Sequence, residues 1–223
     1  MSRIIAWDIE TAPLDRTTFT ERQQRRHQLL VNTELDKHEG LGYDEASRKV
    51  CSLHPMLGFI CCISVAVADE ETGEVESLSS YVADSLETER QLLIDFRDAV
   101  SPHRGFDVWV TFNGKRFDLD WLLHRCLYHG VRAPANGRMM NRNPYQNREH
   151  ADLACVLKSP AGLADLCDHL GIDSPKQAMD GSGVAQAVAE GRLDDVAKYC
   201  EADVLATLNC YLAMRRFAAP AFA

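Results

Sequence analysis

Two acidic residues, Asp8 and Glu10, follow the apolar segment that opens the chain, and they constrain it more than any other feature. Residues 3–8 (RIIAWD) are typical of a buried strand. Side chains alternate between the faces of a strand, so Asp8 and Glu10 should share one face at its end. Buried acids repel each other unless a cation neutralises them, and carboxylate oxygens suit Mg²⁺ or Mn²⁺. Alone the pattern is weak, because many strands end in acids by chance.

The patterns along the chain predict an α/β domain with a mixed central β-sheet flanked by helices. After the first strand, strands are predicted at 58–69, 75–82 and 106–112, with a turn at Thr72-Gly73, and helices at 87–100, 118–129, 163–170 and 193–216. We expect a single domain over residues 1–223, with an insertion at about 14–55 that has a helical pattern around 20–36.

The composition is that of a globular chain, since 46% of its residues are hydrophobic. No apolar stretch approaches the roughly 18 residues that cross a membrane, and acids lie where a signal peptide would be apolar. We therefore expect a cytoplasmic protein that does not associate with a membrane. Its eight cysteines should be buried and reduced. The net charge of −9 argues against non-specific duplex binding, although bound divalent cations can reverse the field in an acidic cleft.

A third acid, Asp118, opens the helix predicted after the strand at 106–112 and the turn signal Asn113-Gly114. It is either a helix-start acid favoured by the helix dipole or a third metal-binding carboxylate that faces the first strand. Asp120 competes for that role but points about 200° away around the helix. Asn113 would brace the turn or contact a substrate.

The last predicted helix carries Tyr199 and Asp203, whose spacing of four places both side chains on one face. Such a pair is by itself more often structural. Phe117 and Trp121 have the same spacing on the earlier helix, where they would pack in the core or stack on a terminal base. Thr11 would contact a terminal sugar or cap the strand end.

The segment from 132 to 148 contains four arginines and no acid. It is either a solvated loop or a rim that contacts phosphates.

Together the motifs resemble those of the DnaQ-like (DEDD) 3′–5′ exonucleases, which have a ribonuclease-H-like fold. The similarity is to the tyrosine subgroup, and more narrowly to predicted 3′–5′ exonucleases related to the proofreading domain of family-B DNA polymerases. The matching stretches are WDIET at 7–11, FNGKRFD at 112–118, HADL at 150–153 and YCEADV at 199–204. The histidine subgroup is disfavoured, because Lys198 occupies the position five residues before the last acid.

The resemblance implies a hydrolase with two Mg²⁺ or Mn²⁺ ions that releases nucleoside 5′-monophosphates from single-stranded 3′ ends. Asp8 would bridge both ions, Glu10 and Asp203 would complete the site of one, and Asp118 would hold the second. Tyr199 would orient the attacking water. DNA is the favoured substrate, and the alternatives are an RNA 3′-end-trimming enzyme or a non-catalytic nucleic-acid-binding module. A polymerase or a repair complex is the expected partner.

Overall fold

A five-stranded mixed sheet forms the centre of the computed structural model, which describes residues 3–101, 108–157, 162–174 and 181–222. The strands are β1 (Arg3–Pro13), β2 (Gly58–Asp69), β3 (Val75–Val82), β4 (Val108–Thr111) and β5 (His150–Asp152), in the order β3-β2-β1-β4-β5. β1 is antiparallel to β2 and parallel to β4. The first predicted strand is therefore the central one, which explains its apolar sequence.

Helices cover both faces of this sheet, and the predicted α/β class is confirmed. They are α1 (Glu21–Lys37), α2 (Tyr43–Ser52), α3 (Leu86–Ala99), α4 (Asp118–His129), α5 (Leu153–Leu157), α6 (Leu163–Leu170), α7 (Gly181–Ala189) and α8 (Leu193–Ala218). α2, α5 and α7 were not predicted. The predicted strand at 106–112 is found at 108–111, and its residues 106 and 107 lie outside the described residues.

β1 is longer than predicted and continues past both acids. Its ladder with β2 runs from Arg3, opposite Asp69, to Pro13, opposite Gly58, with an irregularity between Glu10 and Thr11. The pairing with β2 keeps the chain extended after Glu10. Thr11 is therefore a residue inside a strand rather than the cap of a strand end.

The alternation of side chains along β1 decides which face the acids take. Ile5, Trp7 and Ile9 belong to the core that contains residues of α3 and α4, whereas Ile4 and Ala6 pack with residues of α8. Asp8 and Glu10 continue the second series, so they project toward the face covered by α8. The predicted shared face of the two carboxylates thus follows from the observed packing.

The predicted insertion forms the helix pair α1 and α2, which encloses a small core of its own around Phe19, Val31 and Leu57. The buried His27 Nε2 lies 2.8 Å from Ser47 Oγ and joins the two helices. Within the described ranges, no helix combines the length and the apolar composition that crossing a bilayer requires. All eight cysteines are free and buried, as expected.

A buried ion cluster ties α3, α4 and β2 together on the other face. Glu89 is fully buried, and its carboxylate accepts hydrogen bonds from the Ile60 amide at 2.8 Å and from Arg125 Nε at 2.8 Å and Nη2 at 2.6 Å. His129 Nε2 lies 2.6 Å from the same carboxylate. Glu89 and Arg125 depend on each other for compensation of their charges in a dry environment.

We predict that Glu89→Ala lowers the free energy of unfolding by about 3–5 kcal/mol, because it leaves the buried Arg125 guanidinium without its counter-ion. Chemical denaturation followed by circular dichroism measures the change. Glu87→Ala, at an exposed position on the same helix, is the control and should cost less than about 1 kcal/mol. Equal effects of the two substitutions would contradict the structural role of the cluster.

Candidate active site

The two acids of β1 lie beyond the point where β1 and β4 stop pairing. The parallel ladder joins Ile4–Ala6 to Val108–Val110, and β4 ends at Thr111. From there the chain turns into α4, so the turn after β4 faces Asp8 and Glu10. A crevice at the carboxyl end of parallel strands is a common location for a ligand site in α/β proteins.

The turn between β4 and α4 has a backbone conformation that its sequence supports. Asn113 has φ 64°, in the left-handed region that asparagine tolerates better than most residues. A Cβ atom at Gly114 would lie only 2.6 Å from Cβ of Thr111, so glycine is required there. The role of Asn113 in bracing the turn therefore rests on its backbone.

Asp152 of β5 holds this turn in place, a function that sequence reasoning did not assign to it. Its fully buried carboxylate accepts hydrogen bonds from the amides of Asn113 and Lys115, each at 2.9 Å. Lys115 Nζ in turn donates to the carbonyls of Asn143 and Gln146. The HADL stretch at 150–153 was the only sequence signal for this arrangement.

Asp118 enters the crevice from the first turn of α4 and is 2% exposed. Its Oδ1 atom is buried and has no hydrogen-bond partner among the described residues. Burial raises the pKa of this carboxyl from 3.8 to about 7, although hydrogen bonds from its own amide and that of Ile9 oppose the rise. A buried carboxylate oxygen without a partner fits a site that binds a cation.

Asp8 and Glu10 share the same electrostatic environment. Burial raises the pKa of Asp8 well above its ordinary value, and the neighbouring carboxyls of Asp118, Glu10 and Asp203 raise it further. Burial also raises the pKa of Glu10, followed by the charge of Asp203. All four predicted metal-binding carboxylates therefore interact in one place, and their oxygen donors fit a hard divalent cation.

Tyr199 and Asp203 reach this place from α8, on the face where their spacing predicted them. Burial raises the pKa of the Tyr199 phenol above its ordinary value, and the charges of Asp203 and Glu10 raise it further. The phenol also hydrogen-bonds to the Asp203 carboxyl. Tyr199 is therefore protonated at neutral pH and acts as a hydrogen-bond donor.

Cys200 also contacts the carboxylates, which sequence reasoning missed because it treated every cysteine alike. Its Sγ lies 3.6 Å from the carbonyl oxygen of Asp8 and 3.9 Å from Asp8 Oδ2. The candidate ligand atoms of Asp8, Glu10 and Cys200 lie within 4.8 Å of one another. Burial raises the pKa of the thiol, so it stays neutral, and a hard cation prefers the carboxylate oxygens to sulfur.

Two of the predicted substrate-contacting groups, the Trp121 indole and the Thr11 hydroxyl, are engaged within the protein. Trp121 is 1% exposed and packs against Gly58, so its indole has no free face on which a base could stack. The Thr11 hydroxyl donates to the Ser52 carbonyl at 2.5 Å and is engaged within the protein. Phe117 is only half-buried, with its ring 6.0 Å from that of Trp121, and it remains the aromatic side chain beside Asp118.

Other charged residues that sequence reasoning considered are held by ion pairs or hydrogen bonds. Asp120 is paired with Arg142 at 2.8 Å, which agrees with the expectation that it points away from Asp118. Arg138 pairs with Glu149 at 3.4 Å. Glu201 of α8 accepts a hydrogen bond from the Ser80 hydroxyl at 2.7 Å, so it faces β3 rather than the other carboxylates.

A family of predicted 3′–5′ exonucleases related to the exonuclease domain of PolB matches residues 53–220. The chain belongs to this family. Asp118, Tyr199 and Asp203 lie inside the matched range, whereas Asp8, Glu10 and most of the insertion precede it. The resemblance that the motifs suggested is thereby confirmed.

Among solved structures, the chain is similar to the family B DNA polymerase from the hyperthermophilic archaeon Pyrobaculum calidifontis. The identity is 15% and the TM-score 0.62, over 99% of this chain and 25% of the polymerase. The chain thus corresponds in length to about a quarter of that protein. The likeness extends over β1 and the insertion and confirms the predicted ribonuclease-H-like fold. No curated protein matches the sequence significantly.

We predict that Asp118→Asn stabilises the metal-free protein in a pH-dependent manner. The folded state raises the pKa of Asp118 from 3.8 to about 7, so it favours the protonated form. That contribution to stability is complete below about pH 4 and is lost as the pH rises through about 7. Thermal unfolding in a chelator should give the variant an advantage in Tm over the parent that grows from pH 4 to pH 8.

The matched control is Asp120→Asn, which removes a carboxylate that is already paired with Arg142. Its difference in Tm from the parent should not grow over the same pH range. An advantage of Asp118→Asn that is independent of pH would contradict the raised pKa.

Proposed function

We propose that this protein is a divalent-metal-dependent 3′–5′ exonuclease that removes nucleoside 5′-monophosphates from single-stranded nucleic acid, with DNA favoured. One observation carries the proposal: Asp8 and Glu10 of β1, Asp118 of α4 and Asp203 of α8 interact as like charges in one crevice. Membership of a family of predicted 3′–5′ exonucleases supports the same reaction. We treat residues 1–223 as a single exonuclease domain with an insertion at about 14–55.

The four carboxylates would hold the metal, for which two Mg²⁺ or Mn²⁺ ions are proposed. Asp8 would contribute to both positions, Glu10 and Asp203 to one, and Asp118 to the other. A divalent ion bound there supplies positive charge for the phosphate and lowers the pKa of a coordinated water. The protein contributes a set of half-buried and buried oxygen donors whose mutual repulsion favours binding of a cation.

Tyr199 would orient the attacking water or a phosphate oxygen by donating a hydrogen bond. Its raised pKa excludes it as a base at neutral pH, since it holds its proton throughout the physiological range. Its hydrogen bond with Asp203 fixes the phenol beside the carboxylates. Tyr199 is thus proposed as a positioning group for the nucleophile rather than as its activator.

The terminal nucleotide would be recognised by a few contacts next to the carboxylates. Phe117 is half-buried and precedes Asp118, so its exposed part can stack on the terminal base. Asn113 is half-buried in the same turn and would contact the substrate there. Few phosphate contacts are needed for a short end, which suits a chain with a net charge of −9. A polymerase or repair partner is proposed only by analogy with the related proofreading domains.

The proposal is tested by cleavage of a 5′-labelled single strand in the presence of Mn²⁺, resolved on a denaturing gel. Wild-type protein should shorten the strand from its 3′ end, and Asp8→Ala should reduce the rate by roughly 10³-fold or more. Glu201→Ala, an acidic residue of α8 that bonds to Ser80, should retain the rate.

Matched DNA and RNA strands run in the same assay decide the sugar preference. Failure of the wild-type protein to shorten either strand, despite measurable binding, would refute the enzyme and favour a non-catalytic module. Activity in Asp8→Ala close to that of the wild type would refute the metal site.

We predict that Tyr199→Phe lowers kcat by about tenfold to a hundredfold, which corresponds to the loss of one hydrogen bond to a charged or polarised group. The loss should be similar at every pH between 6 and 9, because the phenol does not titrate there. If the wild-type rate falls at one end of the pH range and the Tyr199→Phe rate does not, the phenol acts as a base. An unchanged rate across this range would remove the orienting role.

A further inference from the structure

The end of the insertion is fixed beside the candidate active site. Gln23 Nε2 of α1 donates to the carbonyl of Met56 at 2.9 Å, and Arg125 Nη1 of α4 donates to that of Pro55 at 3.2 Å. One residue beyond Glu10, the Thr11 hydroxyl donates to the Ser52 carbonyl. The turn at residues 53–56 is therefore held by α1, α4 and β1 together, and its position relative to the carboxylates is defined.

Basic side chains from three distant parts of the chain meet at this turn. Burial lowers the pKa of His54, and the neighbouring Arg26 of α1 and His124 of α4 lower it further. His124 Nδ1 lies 3.7 Å from Asp120 Oδ2, and Arg142 Nη2 lies 2.8 Å from Asp120 Oδ1. We call these four residues, Arg26, His54, His124 and Arg142, the basic strip.

The strip brings two arginines and two histidines together beside a single carboxylate. The chain as a whole, by contrast, has a net charge of −9. Among the described residues, Asp120 is the one carboxylate that pairs with members of the strip, His124 and Arg142. Arg26 is exposed and has no carboxylate partner in the described part of the chain. The adjacent Arg25, by contrast, pairs with Glu21 at 3.1 Å. The strip therefore suits an anionic partner that comes from outside the protein.

The distance from Asp118 to the strip suits backbone phosphates on the 5′ side of the phosphate that is cleaved. His124 follows Asp118 by six residues, which is about 9 Å along the axis of α4. Met56 and Leu53, in the same turn, are each 57% exposed and offer apolar contact to unstacked bases. A strand with its 3′ end at the carboxylates would pass over the first turn of α4 to reach this surface, because His124 shares the outward face of Asp120.

We propose that the basic strip binds the backbone phosphates of the single strand upstream of its terminal nucleotides. This inference rests on the proposed function and assigns the insertion a role in holding the substrate. Arg26 and Arg142 supply the permanent positive charge, and the two histidines supply hydrogen bonds. An acidic protein partner that uses the same charges is the competing occupant, and the experiment below separates the two.

The test compares two double variants in an inactive Asp8→Ala background, so that no strand is degraded. Arg26→Gln with Arg142→Gln removes both arginines of the strip. Arg25→Gln with Arg138→Gln is the matched control, since it removes two arginines of the same segments that lie outside the strip and pair with Glu21 and Glu149. Fluorescence anisotropy measures the affinity of each protein for a labelled twelve-nucleotide oligothymidylate over a series of salt concentrations.

The strip variant should bind the oligothymidylate at least about tenfold more weakly than the Asp8→Ala parent, and its log–log salt slope should be shallower by about 1.4 for two lost contacts. The control variant should match the parent in both quantities. Equal binding by all three proteins would overturn the proposal and leave the strip to a protein partner. Equal weakening in the control would also overturn it, because the effect would then reflect overall charge.

The same substitutions in the active protein separate this inference from the proposed function. A dinucleotide without a 5′-phosphate has only the scissile phosphate, so it cannot contact the strip. The ratio of kcat/KM for the twelve-nucleotide strand to that for the dinucleotide should fall about tenfold or more in the strip variant alone. If the wild-type protein cleaves neither substrate, the proposed function fails, and the anisotropy result still decides whether the strip binds the strand.

Discussion

The candidate site depends on repulsion among neighbouring carboxylates, of which Asp118 is buried and the other three are half-buried. Burial raises the pKa of Asp8 and Glu10, and the neighbouring carboxyls of Asp118 and Asp203 raise it further. A fold that gathers such groups without a counter-charge loses stability, because each must either hold a proton or face a like charge in a dry environment. The unpartnered Oδ1 of Asp118 adds a further cost. A bound divalent cation offsets all of these terms at once, which is why the arrangement fits a metal site better than a structural one.

The fold brings these acids together by rigid means. β1 is the central strand of the sheet, and its alternation sends Asp8 and Glu10 to the α8 face. Asp118 is positioned by a turn in which Asn113 has a positive φ and whose amides are held by Asp152. Sites built on strands and on helix ends hold their groups more accurately than loops do. The residues around the carboxylates therefore matter as much to the proposed chemistry as the carboxylates themselves.

Much of this could be predicted from the sequence, because strong local periodicity specifies both elements and faces. The spacing of two in Asp8 and Glu10 and of four in Tyr199 and Asp203 fixed which side chains point together. Long-range packing could not be predicted in this way. β1 extends to Pro13 because β2 pairs with it along its whole length. Trp121 of α4 is buried because Gly58 of β2 has no side chain and leaves room for the indole ring. The contacts of Asp152 and Cys200 likewise depend on residues far away in the chain, so no local pattern revealed them.

The helix pair α1 and α2 is held against the sheet at a few defined points. The family match begins at residue 53, while α1, α2 and the strand that carries Asp8 and Glu10 come before it. The structural likeness to a family B polymerase nevertheless covers 99% of the chain, so it includes both β1 and the helix pair. The helix pair is joined to the rest of the fold through Ser52, Pro55 and Met56, which contact β1, α4 and α1. An element joined at these points has a fixed position next to the crevice, and its charged surface can act on the same ligand as the carboxylates.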